Sequence, residues 1–461
     1  MLKSGEMGPQ RMLPRLLVAS LLAGVAIAGC VQTDSGPGAV VSPPSGSGSA
    51  LFKVVPIPGS SAVSEPSLAV DHKGAIYVSA PAGLPTGSAL WKSTDGGATW
   101  KVLTPNPTPL GGGDTSLAIA PDDSIYVTDL WAGSATMSVS HDAGATWTSA
   151  PISSEVPYYD REWNTVDKVG HAYFLGRTFA PAVASWVSRS DDGGTTWVLA
   201  GNPWINPNVN GGDWQDGPLV ANPKTGEVAV VYNCDGPAIC FSVSKDMGTT
   251  WTQKVAAKAL GSVGNDFAGL AADSAGAWYV AYAEMLSGGG SAVKVVASKD
   301  DGATWSAPQV ITSGAGTRVF PWIVAGDAGR IAVAWYETPT VGDPNDQTGM
   351  KSAKWNVIEA QSLDGGARWQ QARVTQQPIH TGTISTEGLV PNGPDRSLGD
   401  FFTMDVGPDG MVHLAFMGDA GSGPACLVAS QVGGDSLYAP GHAAPTPASP
   451  TGLIPVTLPA P

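Results

Sequence analysis

Apolar residues in this chain come in short runs broken by Gly-, Asp- and Pro-bearing turns, and no long segment repeats at 3.6 residues. One arrangement recurs: a short apolar stretch, a polar turn, then a second apolar strand. Ser67–Asp71 leads to Ala75–Val78, Ser116–Ile119 to Ser124–Val127, and Asn164–Asp167 to His171–Phe174. Pro218–Val220 pairs in the same way with Val228–Tyr232, Gly269–Ala271 with Trp278–Tyr282, and Trp322–Val324 with Ile331–Tyr336. A seventh copy joins Phe402–Asp405 to Met411–Phe416. Third strands follow, as in Ala89–Trp91, Met137–Val139, Trp186–Ser188, Val293–Val296 and Cys426–Ser430. The pattern predicts an all-β chain of repeated antiparallel units.

Six of the third strands run into one phrase, Ser-x-Asp-x-Gly-x-Thr-Trp. The copies are Ser93–Trp100, Ser140–Trp147, Ser190–Trp197, Ser244–Trp251, Ser298–Trp305 and Ser362–Trp369, the last with Arg368 in place of Thr. Successive copies start 47, 50, 54, 54 and 64 residues apart, a period that marks an array of supersecondary units. With strands on both sides, the phrase is a hairpin turn: Ser and Asp bond nearby backbone, Gly supplies positive φ, and Trp begins a fourth strand. It resembles the Asp box, or bacterial neuraminidase repeat, a folding element that does not itself imply chemistry.

Seven units have three strands, but only six have a fourth after a box. Phe52–Ile57 resembles the strand after the first box, Trp100–Pro105. The N-terminal strand is therefore expected to complete the last unit and close a seven-bladed β-propeller of four-stranded blades. A six-bladed ring is the alternative.

Arg11 and Arg15 precede an apolar run ending Ile27-Ala28-Gly29-Cys30, which resembles a lipobox. Residues 1–29 are then a lipoprotein signal peptide and Cys30 the lipidation site. Residues 30–50 are a Gly/Ser/Pro tether, 51–437 the propeller, and 438–461 a disordered Pro/Ala-rich tail. The expected location is the cell envelope, lipid-anchored and facing the exterior or periplasm, with the lipid on Cys30 the only membrane contact. Residues 1–29 hold three of the 24 basic and one of the 39 acidic residues, so the mature chain carries about −17. That excess argues against nucleic acid and anionic membrane surfaces. Cys234 and Cys240 flank a short loop and are expected to bridge in an oxidising compartment, and Cys426 to be buried. A monomer is expected.

In such a meander the starts of the innermost strands and the ends of the second strands share one face, opposite the box turns. The starts bring Glu65, Asp114, Asp160-Arg161-Glu162, Asp216, Asp266, Arg318 and Asp400, with Arg396 just upstream. The second-strand ends bring Asp129, Arg177, Asp235, Glu284, Glu337 and Asp419. A ring of carboxylates and arginines is thus expected at the central mouth, where propellers bind ligands. Tyr158, Tyr159, Trp163, Trp214, Phe267, Phe320, Trp322 and Phe401 surround it, available either for stacking on sugars or for packing between blades. No cofactor is required; Asp and Glu oxygens would suit Ca²⁺.

Over residues 51–437, box, blade layout and export signal together resemble the sialidase superfamily. Asp160-Arg161-Glu162-Trp163, Phe320-Pro321-Trp322 and Gly399-Asp400-Phe401-Phe402 look like phrases of sialidase-like repeat proteins of prokaryotes. The resemblance implies an arginine triad clamping a sugar carboxylate, an Asp acid/base, and a Tyr nucleophile paired with Glu. The family's Phe/Tyr-Arg-Ile-Pro phrase is missing; the first slot reads Ser64-Glu65-Pro66-Ser67, and Glu65 would repel an anionic sugar. Arg161, Arg318, Arg396 and Arg177 could rebuild a cluster, Tyr336 with Glu337 or Tyr282 with Glu284 a nucleophile pair, and Asp114 or Asp160 the acid/base. Asp216, Asp266, Asp400 and Trp214 complete the expected substrate contacts. No Ser-His-Asp signature stands out, and His72, His171 and His413 read as structural. Two functions follow: a surface-anchored, sialidase-like propeller acting on or binding a glycan or glycoprotein, or a non-catalytic adhesion or scaffold propeller, Ca²⁺-stabilised in one version.

Overall fold

The computed structural model describes residues 50–442 except 84–86, 105–112, 132–133, 153–158, 179–183, 205–215, 235, 260, 262–266, 389–391, 420 and 422. Trp131, Tyr159 and Asp160 are described for their backbone alone. Seven antiparallel sheets form the blades, each of four strands, with a fifth short strand in the sixth. The seven innermost strands are Ser67–Val70, Leu117–Ile119, Tyr159–Val166, Asp216–Ala221, Gly269–Ala272, Thr317–Ala325 and Thr403–Val406. Each touches the innermost strand of the blade before and after it, and the last returns to the first. The ring is a closed seven-bladed propeller; six blades are excluded.

Closure uses the N-terminal strand. Leu51–Pro56 pairs with Pro424–Gly433, placing Val54 opposite Ala429, and so supplies the outer strand of blade 7. The first and last strands of the ring thus share one sheet, which ties the ring shut.

The six repeated turns share one geometry. In the first, Ser93 Oγ donates to Asp95 (2.8 Å) and accepts from Gly97 N (2.9 Å), while Thr99 N and Oγ1 donate to Asp95 (2.8 and 2.6 Å). In the last, Arg368 Nε replaces the Thr hydroxyl on Asp364 at 2.8 Å. The positive-φ glycine lets each turn press on the preceding blade. A Cβ at Gly144 would meet Leu103 at 2.6 Å, at Gly194 Val139 at 2.6 Å, and at Gly302 Phe241 at 2.3 Å.

Nearer the axis, hydroxyls stitch neighbouring blades. Backbone N–H groups of Leu68, Leu117, Asn164 and Ala221 donate to Thr403 (2.7 Å), Ser67 (2.9 Å), Ser116 (3.2 Å) and Thr165 (3.3 Å). Inner strands have one edge without a strand partner, and these side chains satisfy it.

Blade 7 has no box turn to press on blade 6. There the chain beyond Gly433 crosses the seam: Leu437 is fully buried, its carbonyl accepts from Asp327 N (2.9 Å), and Ala439 N donates to Asp327 (2.8 Å). Of the tail expected from 438, residues Tyr438–His442 are held in this way, with the Tyr438 and His442 rings stacked at 3.9 Å. The remainder, with the expected signal peptide, Cys30 and most of the expected tether, lies outside the described residues. Cys234 and Cys240 are bridged, and Cys426 is buried.

Candidate functional site

The hub begins with a backbone peculiarity. Glu65 lies two residues before the innermost strand of blade 1, Arg161 and Phe320 lie within those of blades 3 and 6, and each has a left-handed backbone (φ 48°, 62° and 54°). Register shifts beside Arg161 and Phe320 mark β-bulges there. Such φ values are costly for residues with a Cβ and gather at functional sites. Here the Glu65 and Arg161 side chains enter the hub, and that of Phe320 packs on Tyr336.

Four blades contribute to one network. Arg161 Nη2 donates to Asp400 Oδ2 (2.5 Å), and Arg396 Nη2 donates to both Asp400 Oδ2 (2.8 Å) and Glu65 Oε1 (2.9 Å). Asp114 Oδ2 accepts the backbone N–H of Arg161 (2.9 Å). Arg161 also lies over the Phe267 ring at 4.5 Å. Gly399 (φ 71°) makes room, since a Cβ there would stand 2.5 Å from Glu65 Cγ. Burial, then the charges of Asp114 and Asp400, push the Glu65 carboxyl up from 4.5 to about 8, against the pull of Arg161 and Arg396. That shift favours the protonated form of Glu65 at neutral pH.

Beneath the network Trp163, Phe267, Trp322 and Phe401 pack on one another, with Trp163 4.9 Å from Phe401 and 5.5 Å from Trp322. All four are buried, as is Phe320. Of the two roles open to the hub aromatics, these five take packing between blades: the first four fill the propeller axis, and Phe320 packs on Tyr336. Trp214, Tyr158, Asp235 and Asp266 lie outside the described residues, as do the side chains of Tyr159 and Asp160.

The other expected residues separate into local clusters. Asp216 is fully buried, accepts from Ser185 (2.6 Å) and Trp204 (2.7 Å), and lies beside Arg177; burial pushes its carboxyl up to about 6. Arg318, also buried, donates to Glu337 (2.9 Å) and to the carbonyls of Ser291, Gly314 and Ser313. It ties blade 6 to blade 5 rather than joining Arg161 and Arg396. Tyr336 and Glu337 cannot act as a pair, because adjacent strand residues face opposite sides. Tyr336 is buried toward blade 7, donating to Met417 O at 3.3 Å, while Glu337 takes Arg318 and Trp335. Tyr282 and Glu284 do share a face, but Glu284 is buried against Lys294 (2.8 Å). Burial, then the Glu284 charge, holds the Tyr282 hydroxyl well above its ordinary pKa, so the pair gives no ready nucleophile.

His171 and Tyr173 bond Asp167, and His413 bonds Ser430, all structural contacts. Among the described residues no three His, Cys, Asp or Glu side chains are grouped to hold a metal ion. A cavity of about 500 Å³ enters the axis from the box-turn side and ends against Trp163 and Trp322.

Fold and hub together define a closed seven-bladed propeller with a buried acid–guanidinium cluster at its mouth. No protein-family model matches the sequence, and no curated protein matches it. Among solved structures it is similar to an ulvan lyase of polysaccharide lyase family PL25, at 13% identity over 84% of this chain and 97% of that one, with a TM-score of 0.48. It is also similar to the Hadza microbial sialidase Hz136, at 16% identity over 68% and 66% of the two chains with a TM-score of 0.43. A third is the NanB sialidase from Streptococcus pneumoniae, at 12% identity over 83% and 70% with a TM-score of 0.42. At these values the likeness is one of outline and says nothing of what this chain binds.

Proposed function

We propose that the chain is a glycan-directed propeller whose mouth accepts an uncharged sugar, with Glu65 as proton donor and Asp114 as the carboxylate facing the reacting centre. The observation that carries this reading is the buried Glu65 carboxyl, bonded to Arg396 and gathered with Asp114, Asp400 and Arg161 at one hub, where burial and the two carboxylates push it up to about 8. A neutral carboxylic acid beside a second carboxylate is the pairing that glycosidic bond cleavage uses. Arg161 and Arg396 are spent on Asp400 and Glu65, so neither is offered to a sugar carboxylate, and Arg318 is committed elsewhere. An exo-sialidase clamp is accordingly not part of the reading.

The same neutralised arginines favour a second reading, a non-catalytic adhesion or scaffold propeller in which the cluster only locks four blades together. Export and lipid attachment at Cys30 would place either version at the cell envelope.

The test is a panel of fluorogenic glycosides, uncharged sugars beside a sialoside, with a glycan array. Turnover of an uncharged glycoside, lost by roughly a hundredfold or more in Glu65→Gln, is expected. Array binding without turnover retains a glycan binder and removes the acid role. Neither turnover nor binding would leave the scaffold.

A further inference from the structure

The loop from Asp395 to Asp400 serves two places. Arg396 and Asp400 reach into the hub, whereas Asp395, Ser397 and Leu398 line a separate cavity of about 480 Å³ against blade 7. Its apolar wall is Pro378, Ile379, Leu398 and Pro424, and His380 stands within it.

We propose that Ser397 and His380 form a nucleophile–base pair that cleaves a small, uncharged O-acyl ester bound in this cavity. His380 Nε2 lies 2.8 Å from the carbonyl oxygen of Thr383. A carbonyl only accepts, so Nε2 carries the ring hydrogen and Nδ1 keeps its lone pair. Nδ1 faces Ser397 Oγ at 3.5 Å, a separation of the loose kind found before substrate binds. The backbone carbonyl thus orients the base, and the exposed hydroxyl stands in front of it. The amide of Leu398, next after Ser397, donates to no acceptor among the described residues and is left to serve an oxyanion. Asp395 and Asp419 line the cavity and, among the described residues, no Lys or Arg does, which disfavours an anionic ester.

In the step, Ser397 Oγ bonds to the ester carbonyl carbon as its proton passes to Nδ1. The bond from that carbon to the alcohol oxygen breaks, and the leaving oxygen takes the proton from Nδ1. A water, deprotonated by the same nitrogen, then attacks the acyl-serine, releasing the carboxylic acid and restoring the hydroxyl.

The experiment treats the full chain with a fluorophosphonate probe and, separately, with p-nitrophenyl acetate. We expect one probe adduct, on the peptide bearing Ser397, and hydrolysis that falls by about a hundredfold in Ser397→Ala. His380→Gln should lose the adduct while its melting temperature shows that it folds. No adduct at Ser397, or equal hydrolysis by Ser397→Ala, would overturn the proposal. No glycan enters either assay, so this outcome and that for the hub are read separately.

Discussion

A left-handed φ at Glu65 and a glycine at position 399 together set the chemistry of the hub. A methyl group on Gly399 would meet both Cγ and N of Glu65 and force a backbone that L-residues avoid. Gly399→Ala should therefore cost about 1–3 kcal/mol in urea unfolding and displace the Glu65–Arg396 pair. A second buried acid makes a cleaner pH test. Glu359 is fully buried on the face of blade 6 toward blade 7, neither of its oxygens has a donor in good hydrogen-bond geometry, and the nearby Gln361 amide only partly offsets its burial. That amide, two residues on, donates to Gln431. Burial pushes the Glu359 carboxyl well above 4.5, so the folded chain keeps a proton that the unfolded chain loses. Stability then falls as pH rises past the unfolded value. Glu359→Gln should leave the melting temperature near pH 4 almost unchanged and raise it at pH 7. Equal shifts at both would contradict the assignment.

At the scale of elements, the repeated turn shows what its residues do. The Ser190 hydroxyl is buried and accepts from Gly194 N at 2.8 Å. Ser190→Ala leaves that N–H unpaired and should cost about 1–3 kcal/mol. Arg368→Thr restores the common residue at an exposed site and should change stability by less than about 0.5 kcal/mol. Strand positions, turn chemistry and blade count are legible in the sequence because each depends on local spacing and recurs. The face carrying Glu65, Asp114, Arg161 and Asp400 is legible from the meander alone. Which acid partners which arginine is not, since Arg161 and Asp400 meet from positions 239 residues apart. The Tyr336–Glu337 pairing fails on a local rule that the sequence does show, the alternation of strand faces. Glu65 is visible as a carboxylate in an arginine's place, but its positive φ and its burial are not. His380 and Ser397 escape notice because they sit 17 residues apart, His380 on a two-residue strand and Ser397 in a loop.

At the scale of the molecule, two terminal segments finish the ring. Leu51–Pro56 completes blade 7, and residues 434–442 cover the one seam that lacks a box turn. Ending the chain after Gly433 removes the buried Leu437 and its bonds to Asp327 and Gly410, and should lower the unfolding midpoint by several degrees. Ending it after His442 keeps every one of those contacts and should change the midpoint little. Losing residues 51–56 exposes the edge of Pro424–Gly433 and should produce aggregation rather than a folded ring. The ring in turn isolates Glu65 from water and collects two carboxylates around it. Titration of the protein carrying ¹³C-labelled glutamate carboxyls, wild type beside Glu65→Gln, tests that claim directly. One carboxyl absent from the variant should change protonation near pH 8. If the signal lost on substitution titrates near 4.5 instead, Glu65 is ionised at neutral pH and the hub has no acid to give.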